Sequence, residues 1–563
     1  MKPFVLRSFY VCSLLLVSSA IHAAPAEAPN ASEVPKAPET PGTSCANGSL
    51  DKRDAEAPVI GDLDIRIHPI FDENNPDENN WLFRTVNRLH IDTRKYVIEK
   101  DLLFSEGDAY NADLLAQSER ILRTRRYLNR AAVTTESTCD QPTKVNVDVY
   151  EVWTLVPELT FSHTGGNSSY GAGIRDSNFL GLGKTVNLIH TSNSQRTGNL
   201  FSYYDPNLGW ADSTLGLGYA NNSDGTERAF NFARPFVAVD TPWSTGVGYD
   251  HFTREDSLYN AGKEALRFAH EGQLESVFYG WRLNKAPRSA ERLLVGYTRS
   301  SDYFAALPDF NTLLPDDREF NYPWIEYQHF NNTFIKAENI QQINRVEDYN
   351  LGAEFRVRLG YAKGRFQYAD SYIIESEYQR AYKPGDSQLL TTGFSLSSYY
   401  GDNQFYNGNL QSNIAWHLQD FSRGQFYVGL TLARGLRRFA DEPLELGGDT
   451  GLRGYPARYQ AGDHLHLITV EQRYFGKREW FSLFHMGAAI FYDEGRVWGD
   501  SAVPQDQRGQ LRDVGIGLRI SGTRTGNREE GTHNVLHIDL ASPLDGDNKI
   551  SKLQWLVKVK KNF

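Results

Sequence analysis

Arg453 stands between Gly451 and Gly454 in LGGDTGLRGYPARYQAGD, residues 446–463, a stretch that holds five glycines. A guanidinium can clamp a phosphate or a carboxylate, and glycines let backbone approach whatever is clamped. The phosphate reading needs a following helix whose N-terminus faces the anion, often opening on Lys-Ser or Lys-Thr. Here the continuation is HLHLITVEQRYF, which alternates like a strand. A structural clamp or an exposed loop arginine is left. His464 and His466 in HLH share one strand face, a candidate metal pair, but no Cys or carboxylate stands at a convincing ligand spacing. Polar lumen or surface residues are the better reading, and no metal is assigned. HEGQLE, starting at His270, does not complete the paired-histidine zinc-protease pattern, and no Gly-x-Ser-x-Gly nucleophile elbow occurs. The chain reads as a non-enzyme without a cofactor.

What positions Arg453 must come from the rest of the chain. The 563 residues carry a formal net charge of -11, which argues against a nucleic-acid partner, since phosphate binding needs concentrated Lys and Arg. Residues 1–23 read as a signal peptide, with Lys2 and Arg7, an apolar run from Phe9 to Val17, and small residues at Ala20–Ala24. Residues 24–57 are rich in Pro, Ala and Glu and hold too little apolar surface to offset their ordering entropy. Export places Cys45 and Cys139 in an oxidising compartment as a candidate disulfide.

Residues 58–153 change texture. VIGDLDIRIHPIF alternates like a strand, a helical stretch follows, and Leu114, Leu115, Ile121 and Leu122 then repeat at helical spacing behind Asn111, an N-cap candidate. RAAVTTEST and TKVNVDVYEVW add two strands, so a compact β-α-α-β-β unit is expected. Arg123, Arg125 and Arg126 read first as a solvated helix face, with a docking face as the alternative.

Residues 154–563 show short alternating segments and no convincing amphipathic helix. Leu215, Leu217 and Tyr219 oppose Gly216 and Gly218; Phe355, Val357, Leu359 and Tyr361 oppose Glu354, Arg356 and Arg358; Val514, Ile516, Leu518 and Ile520 oppose Asp513 and Arg519. Charge and glycine together on the polar face suit a water-filled lumen, and aromatics recur near strand ends. The expected architecture is a transmembrane β-barrel of about sixteen antiparallel strands. The chain closes on SKLQWLVKVKKNF, where Leu553, Trp555, Val557, Val559 and Phe563 line one face.

GLRGYP resembles the arginine–glycine–aromatic loop tip of the BamA/TamA-type outer-membrane barrels. FYDEGRVW (491–498) resembles that family's Phe-x-Asp-x-Gly strand, YGAGIRDSNFLGLGK (170–184) its early Gly-rich hairpin and SYYDPNL the Asp-Pro strand end that follows, while the terminal aromatic strand resembles the recognition signal of bacterial outer-membrane barrels. The unit at 58–153 is similar to a single POTRA domain, whereas the family's assembly factors and exporters usually carry several. The resemblance implies a bacterial outer-membrane location with the POTRA unit in the periplasm, and insertion, assembly or translocation of polypeptides. Outer-membrane lipids, unfolded or exported polypeptide and periplasmic accessory proteins are the implied partners. Two alternatives stay open: a two-partner secretion exporter, and a passive pore or surface interaction barrel. Strict alternation puts Phe491, Asp493 and Gly495 on one face, so Arg453, with Gly454 and Tyr455 beside it, is expected to fold into the lumen and clamp Asp493. The first strand, near Leu155–His163, and the last are expected to meet in a weak seam.

Overall fold

The computed structural model describes residues 58–136, 143–209, 212–308, 314–421, 423–506, 509–524, 535–546 and 550–560. The leader, the Pro-rich segment, Cys45, Cys139 and Phe563 lie outside the described residues.

The N-terminal unit runs β1 (Ile60–His68), α1 (Trp81–Leu89), α2 (Lys95–Glu99), α3 (Ala112–Thr124), β2 (Leu128–Glu136) and β3 (Thr143–Glu151). Its sheet has the order β1-β3-β2, with β1 parallel and β2 antiparallel to β3. Val145, Val147 and Val149 of the central strand are fully buried, in one core with Ile98, Leu115 and Leu122. Asn111 caps α3, its side chain accepting from Asp113 N and Leu114 N at 3.0 and 3.4 Å. One helix is additional to the expected pair. α1 escapes a periodicity reading because it buries only Phe83 and leaves Trp81, Leu82 and Leu89 outside. Its start is nonetheless set by Asn80, whose side chain accepts from Phe83 N at 2.9 Å.

The basic cluster on α3 is a docking face, contrary to the solvated reading. Arg123 forks onto Asp348 at 2.7 and 2.5 Å, Arg125 onto Asp101, and Arg126 lies 5.0 Å from the Tyr204 ring. Asp348 and Tyr204 belong to the barrel half of the chain, which a local pattern cannot see.

Among the described residues twenty antiparallel strands close the barrel, from Leu155–Thr164 to Gln554–Lys560. The expected sixteen was too few because it allowed for long surface loops. The first six strands are only 8 to 10 residues each. Several hairpins turn in two residues: Thr164 pairs Asn167, Asn260 pairs Lys263 and Gly401 pairs Gln404. Gly165 and Gly166 both have positive φ, as do Asp402 and Asn403, the backbone that matches a tight turn to strand twist. Each saved loop residue goes to another strand.

Polarity is inverted relative to a water-soluble core. Leu159, Ile174, Leu359, Ile490 and Ile516 face outward and are exposed, while Glu326, Glu471, Arg473, Asp493, Asp513, Arg519 and Asp539 are buried inside. Ionised groups enclosed by strands whose apolar face is uncovered suit a lipid surround.

Candidate functional site

The unit 58–153 sits at one end of the barrel, here the domain end. The loop between the strands Gly424–Leu436 and His464–Trp480 enters from the far end. Its base is stapled by a small hairpin in which Leu444 to Leu446 pair with Gly462 to Gln460. Gly447 (φ 131) and Gly451 (φ 136) make bends that a side chain would strain.

The tip places Arg453 against the wall. Nε donates to Asp493 Oδ2 at 2.7 Å and Nη2 to Asp493 Oδ1 at 2.9 Å, while Nη1 pairs with Glu471 at 2.8 Å. The guanidinium lies 3.4 Å from the Phe491 ring centre. Arg453 is 5% exposed and Asp493 0%, so solvent screens this pair little. The next residue engages the neighbouring strand: Gly454 N donates to Asp513 at 3.0 Å, and Asp513 is the register partner of Asp493. A Cβ on Gly454 would lie 2.7 Å from Asp513 Cβ, so only glycine fits without displacing the wall. The Tyr455 hydroxyl sits 2.8 Å from Arg512 O and 2.9 Å from Asp545 O, fixing the third tip residue to the far end of a wall strand and to the turn after its neighbour. Gly495 shares the lumenal face, where a Cβ would press on Leu446 and Leu467.

Sequence reasoning missed several members of this site. Asp513 and Arg519 were visible as one polar strand face, but nothing local says that Asp513 meets the loop or that Arg519 meets Asp539 at 2.5 Å. The loop's second tether was also missed. Arg318 on the wall forks onto Asp441 at 2.8 and 3.0 Å, so charge runs from wall to loop there and from loop to wall at Arg453. Backbone contacts extend the loop across the far mouth: Ala457 N donates to Gly165 O, and Gly262 N to Arg458 O, each at 3.2 Å.

The histidine pair lies outside this cluster. His464 Nδ1 is 2.6 Å from Asp463 and its ring stacks on Trp498, and His466 Nε2 meets Gln510 at 3.0 Å. A third arrangement with ligand-type atoms, His90, Asp92 and Glu151, was not singled out from sequence. There Glu151 already accepts from Thr93 N at 2.6 Å and from the Thr93 hydroxyl.

The domain end is occupied by a second insertion. The hairpin Phe334–Glu338 and Val346–Asn350 leaves the wall between the strands Arg318–Asn331 and Glu354–Ala362. It packs into the barrel rather than hanging below it. Ile343 is fully buried with Phe475 and Ala489, and Ile340 and Tyr349 with Ala381 and Leu389. Arg473 donates to Ile340 O, and Asn344 to Gly476 O at 2.7 Å. Its other side is held by α3: besides Arg123–Asp348, Lys336 meets Glu119 at 2.6 Å and Arg120 donates to Asn332 at 2.8 Å. Burial lowers the Arg123 pKa, but the carboxylates of Asp348 and Glu119 outweigh it and hold the guanidinium above its ordinary range.

Among the described residues the junction of first and last strands has one bridged pair, Val557 with His163. By contrast the hairpin Trp243–Asn260 and Lys263–Arg282 is paired from Trp243–Trp281 to Asn260–Lys263. Trp555 stacks on His163 at 3.9 Å and on Phe161 at 6.2 Å, so side chains hold much of what backbone does elsewhere. Leu553 and Trp555 are exposed and Val557 and Val559 half-buried, opposite the buried Leu556.

No family model matches the sequence, and no curated protein matches it. Solved structures do align. BamA from Haemophilus ducreyi lacking POTRA domains 1–3 is 13% identical over 90% of this chain and 85% of that one, with a TM-score of 0.35. CdiB from Acinetobacter baumannii is 13% identical over 89% and 73%, with a TM-score of 0.40. CdiB from Escherichia coli is 13% identical over 90% and 77%, with a TM-score of 0.44. At these scores the likeness carries no weight for activity, which must be read from the chain's own geometry.

Proposed function

We propose that this chain is a bacterial outer-membrane barrel that inserts or assembles polypeptides at its wall, with the unit 58–153 as a single periplasmic POTRA domain. The observation that carries the reading is the junction of the first and last strands, where, among the described residues, one pair is bridged, His163 with Val557. Unpaired backbone N–H and C=O groups on two edge strands are a template for strand addition. β2 is an outer strand of the domain sheet and offers a second edge of the same kind. Arg453 acts as the latch of the far-end loop. The lumen is packed at both ends, by that loop and by the hairpin 332–353, which supports passage at the wall over passage through the lumen.

Two disulfide locks test this. In a background with Cys45→Ser and Cys139→Ser, His163→Cys with Val557→Cys closes the seam, and Ile343→Cys with Ala489→Cys fixes the hairpin to the wall. Register partners in antiparallel strands lie within disulfide reach. As the only copy in the cell, the oxidised seam variant should reproduce the outer-membrane proteome of the deletion strain, and reduction should reverse it. The oxidised hairpin variant should not. The opposite pattern would mean lumenal secretion, and no effect of either lock would mean an interaction barrel.

A further inference from the structure

α1 is a nine-residue helix whose exposed face carries Trp81, Leu82 and Leu89 beside Arg84, Thr85 and Arg88. Trp81 is 72% exposed, Leu89 67% and Leu82 48%, while Phe83 alone is buried, against Ile70 and Phe71. The segment is pinned to the barrel rim at both ends. Upstream, Arg524 donates to Ile70 O at 3.1 Å and to Glu78 at 2.9 Å. Downstream, Arg94 N donates to Gly181 O at 3.0 Å and Asn178 to Thr93 at 2.9 Å. The turn that holds its downstream end exposes Phe179 and Leu180, and the turn beside Arg524, which donates to Ser482 O at 3.3 Å, exposes Phe481 and Leu483. The helix face therefore continues the uncovered wall of the barrel beside the start of the first strand. Arg84 and Arg88 are exposed on the same helix, and Arg94 and Lys95 just beyond it.

We infer that α1 is an interfacial membrane anchor, its Trp81, Leu82 and Leu89 seated among the acyl chains of the adjoining leaflet and its arginines on anionic phospholipid headgroups. The inference rests on the barrel spanning a membrane. A short helix that exposes Trp and Leu with arginines flanking them lies in a bilayer interface without crossing it, the arginines reaching up to the headgroups. A folded protein partner would match the apolar surface but not its continuity with the lipid-facing wall. The anchor fixes the domain's tilt beneath the seam.

Depth-resolved quenching tests it on the full chain, reconstituted in phosphatidylethanolamine and phosphatidylglycerol vesicles. In the background lacking Cys45 and Cys139, an environment-sensitive dye is placed at Leu89→Cys, at Leu359→Cys on the barrel wall, or at Asp62→Cys on the exposed side of the domain. The Leu89 dye should lose emission to headgroup-proximal spin-labelled lipid and resist aqueous iodide, while the Asp62 dye does the reverse. Leu359 is the control for the barrel: if its dye ignores lipid, the membrane reading fails and takes the anchor with it. If Leu359 is quenched by lipid but Leu89 is quenched only by iodide, the anchor alone is overturned. A Leu89 dye shielded from both quenchers would mean a protein occupant, and that also overturns it.

Discussion

The two insertions that fill the barrel are held by the same kind of bond but to different things. The far-end loop is clamped by Arg453–Asp493 and Arg318–Asp441, with barrel wall on the other side each time. The domain-end hairpin shares its bonds between the wall, through Asn344 and Ile340, and α3, through Asp348, Lys336 and Asn332. A clamp with both ends on one body is static unless that body deforms. A clamp with one end on a separate domain moves when the domain moves. The difference assigns stability to the far end and responsiveness to the domain end.

Breaking the static clamp should have the largest effect. Arg453→Ala leaves Asp493 buried without its cation, while Glu471 keeps Arg473 at 2.7 Å, at a cost of about 3–5 kcal/mol. The heat-modifiable gel shift should weaken and protease added outside should cut within 446–463. Asp493→Ala should give the same defect, and the double variant should be no worse than either, because both remove one interaction. Strictly additive losses would separate the two residues and end the latch. Arg453→Lys should rescue only in part, since an ammonium cannot match two carboxylate oxygens in one plane.

The second tether sharpens the comparison. Asp441→Asn keeps the volume and loses the charge opposite Arg318, which still has Asp302 at 3.1 Å. A cost of about 1–3 kcal/mol is expected. Protease sensitivity should appear near residue 440 while the Arg453 tip stays protected.

The smallest effect on stability belongs to the domain end. Arg123→Ala removes a fork between side chains only 9% and 12% exposed, at a cost of about 1–3 kcal/mol that falls on the junction with α3, so thermal unfolding of the barrel should barely move. Amide exchange across 332–353 should nonetheless rise while 446–463 stays as in the parent. Faster exchange in both segments would show that the two insertions respond as one, and the contrast between them would fail.

The barrel and the pairing of Arg453 with Asp493 were legible because they rest on period-two alternation and on motifs that keep their spacing. Phe491, Asp493 and Gly495 had to share a face, and a lumenal arginine nearby had few other partners. Strand number was not legible in the same way, since it depends on turn length. The turns at Gly165–Gly166 and Asp402–Asn403 take only two residues each, shorter than an average of turns and long surface loops allows. The hairpin 332–353 was missed for a different reason. FIKAE and VEDYN are five residues each and carry no motif, and only contacts with Phe475, Ala489 and Arg123 make them a filling of the lumen. The basic stripe of α3 failed likewise, because its carboxylate partner is more than two hundred residues away in sequence.

Twenty strands enclose a bore that wall side chains alone cannot fill. Set in a membrane, an open hole of that girth would pass detergents and bulky solutes. The two packed insertions close it from both ends, so a wall of this circumference encloses a plug rather than a conduit.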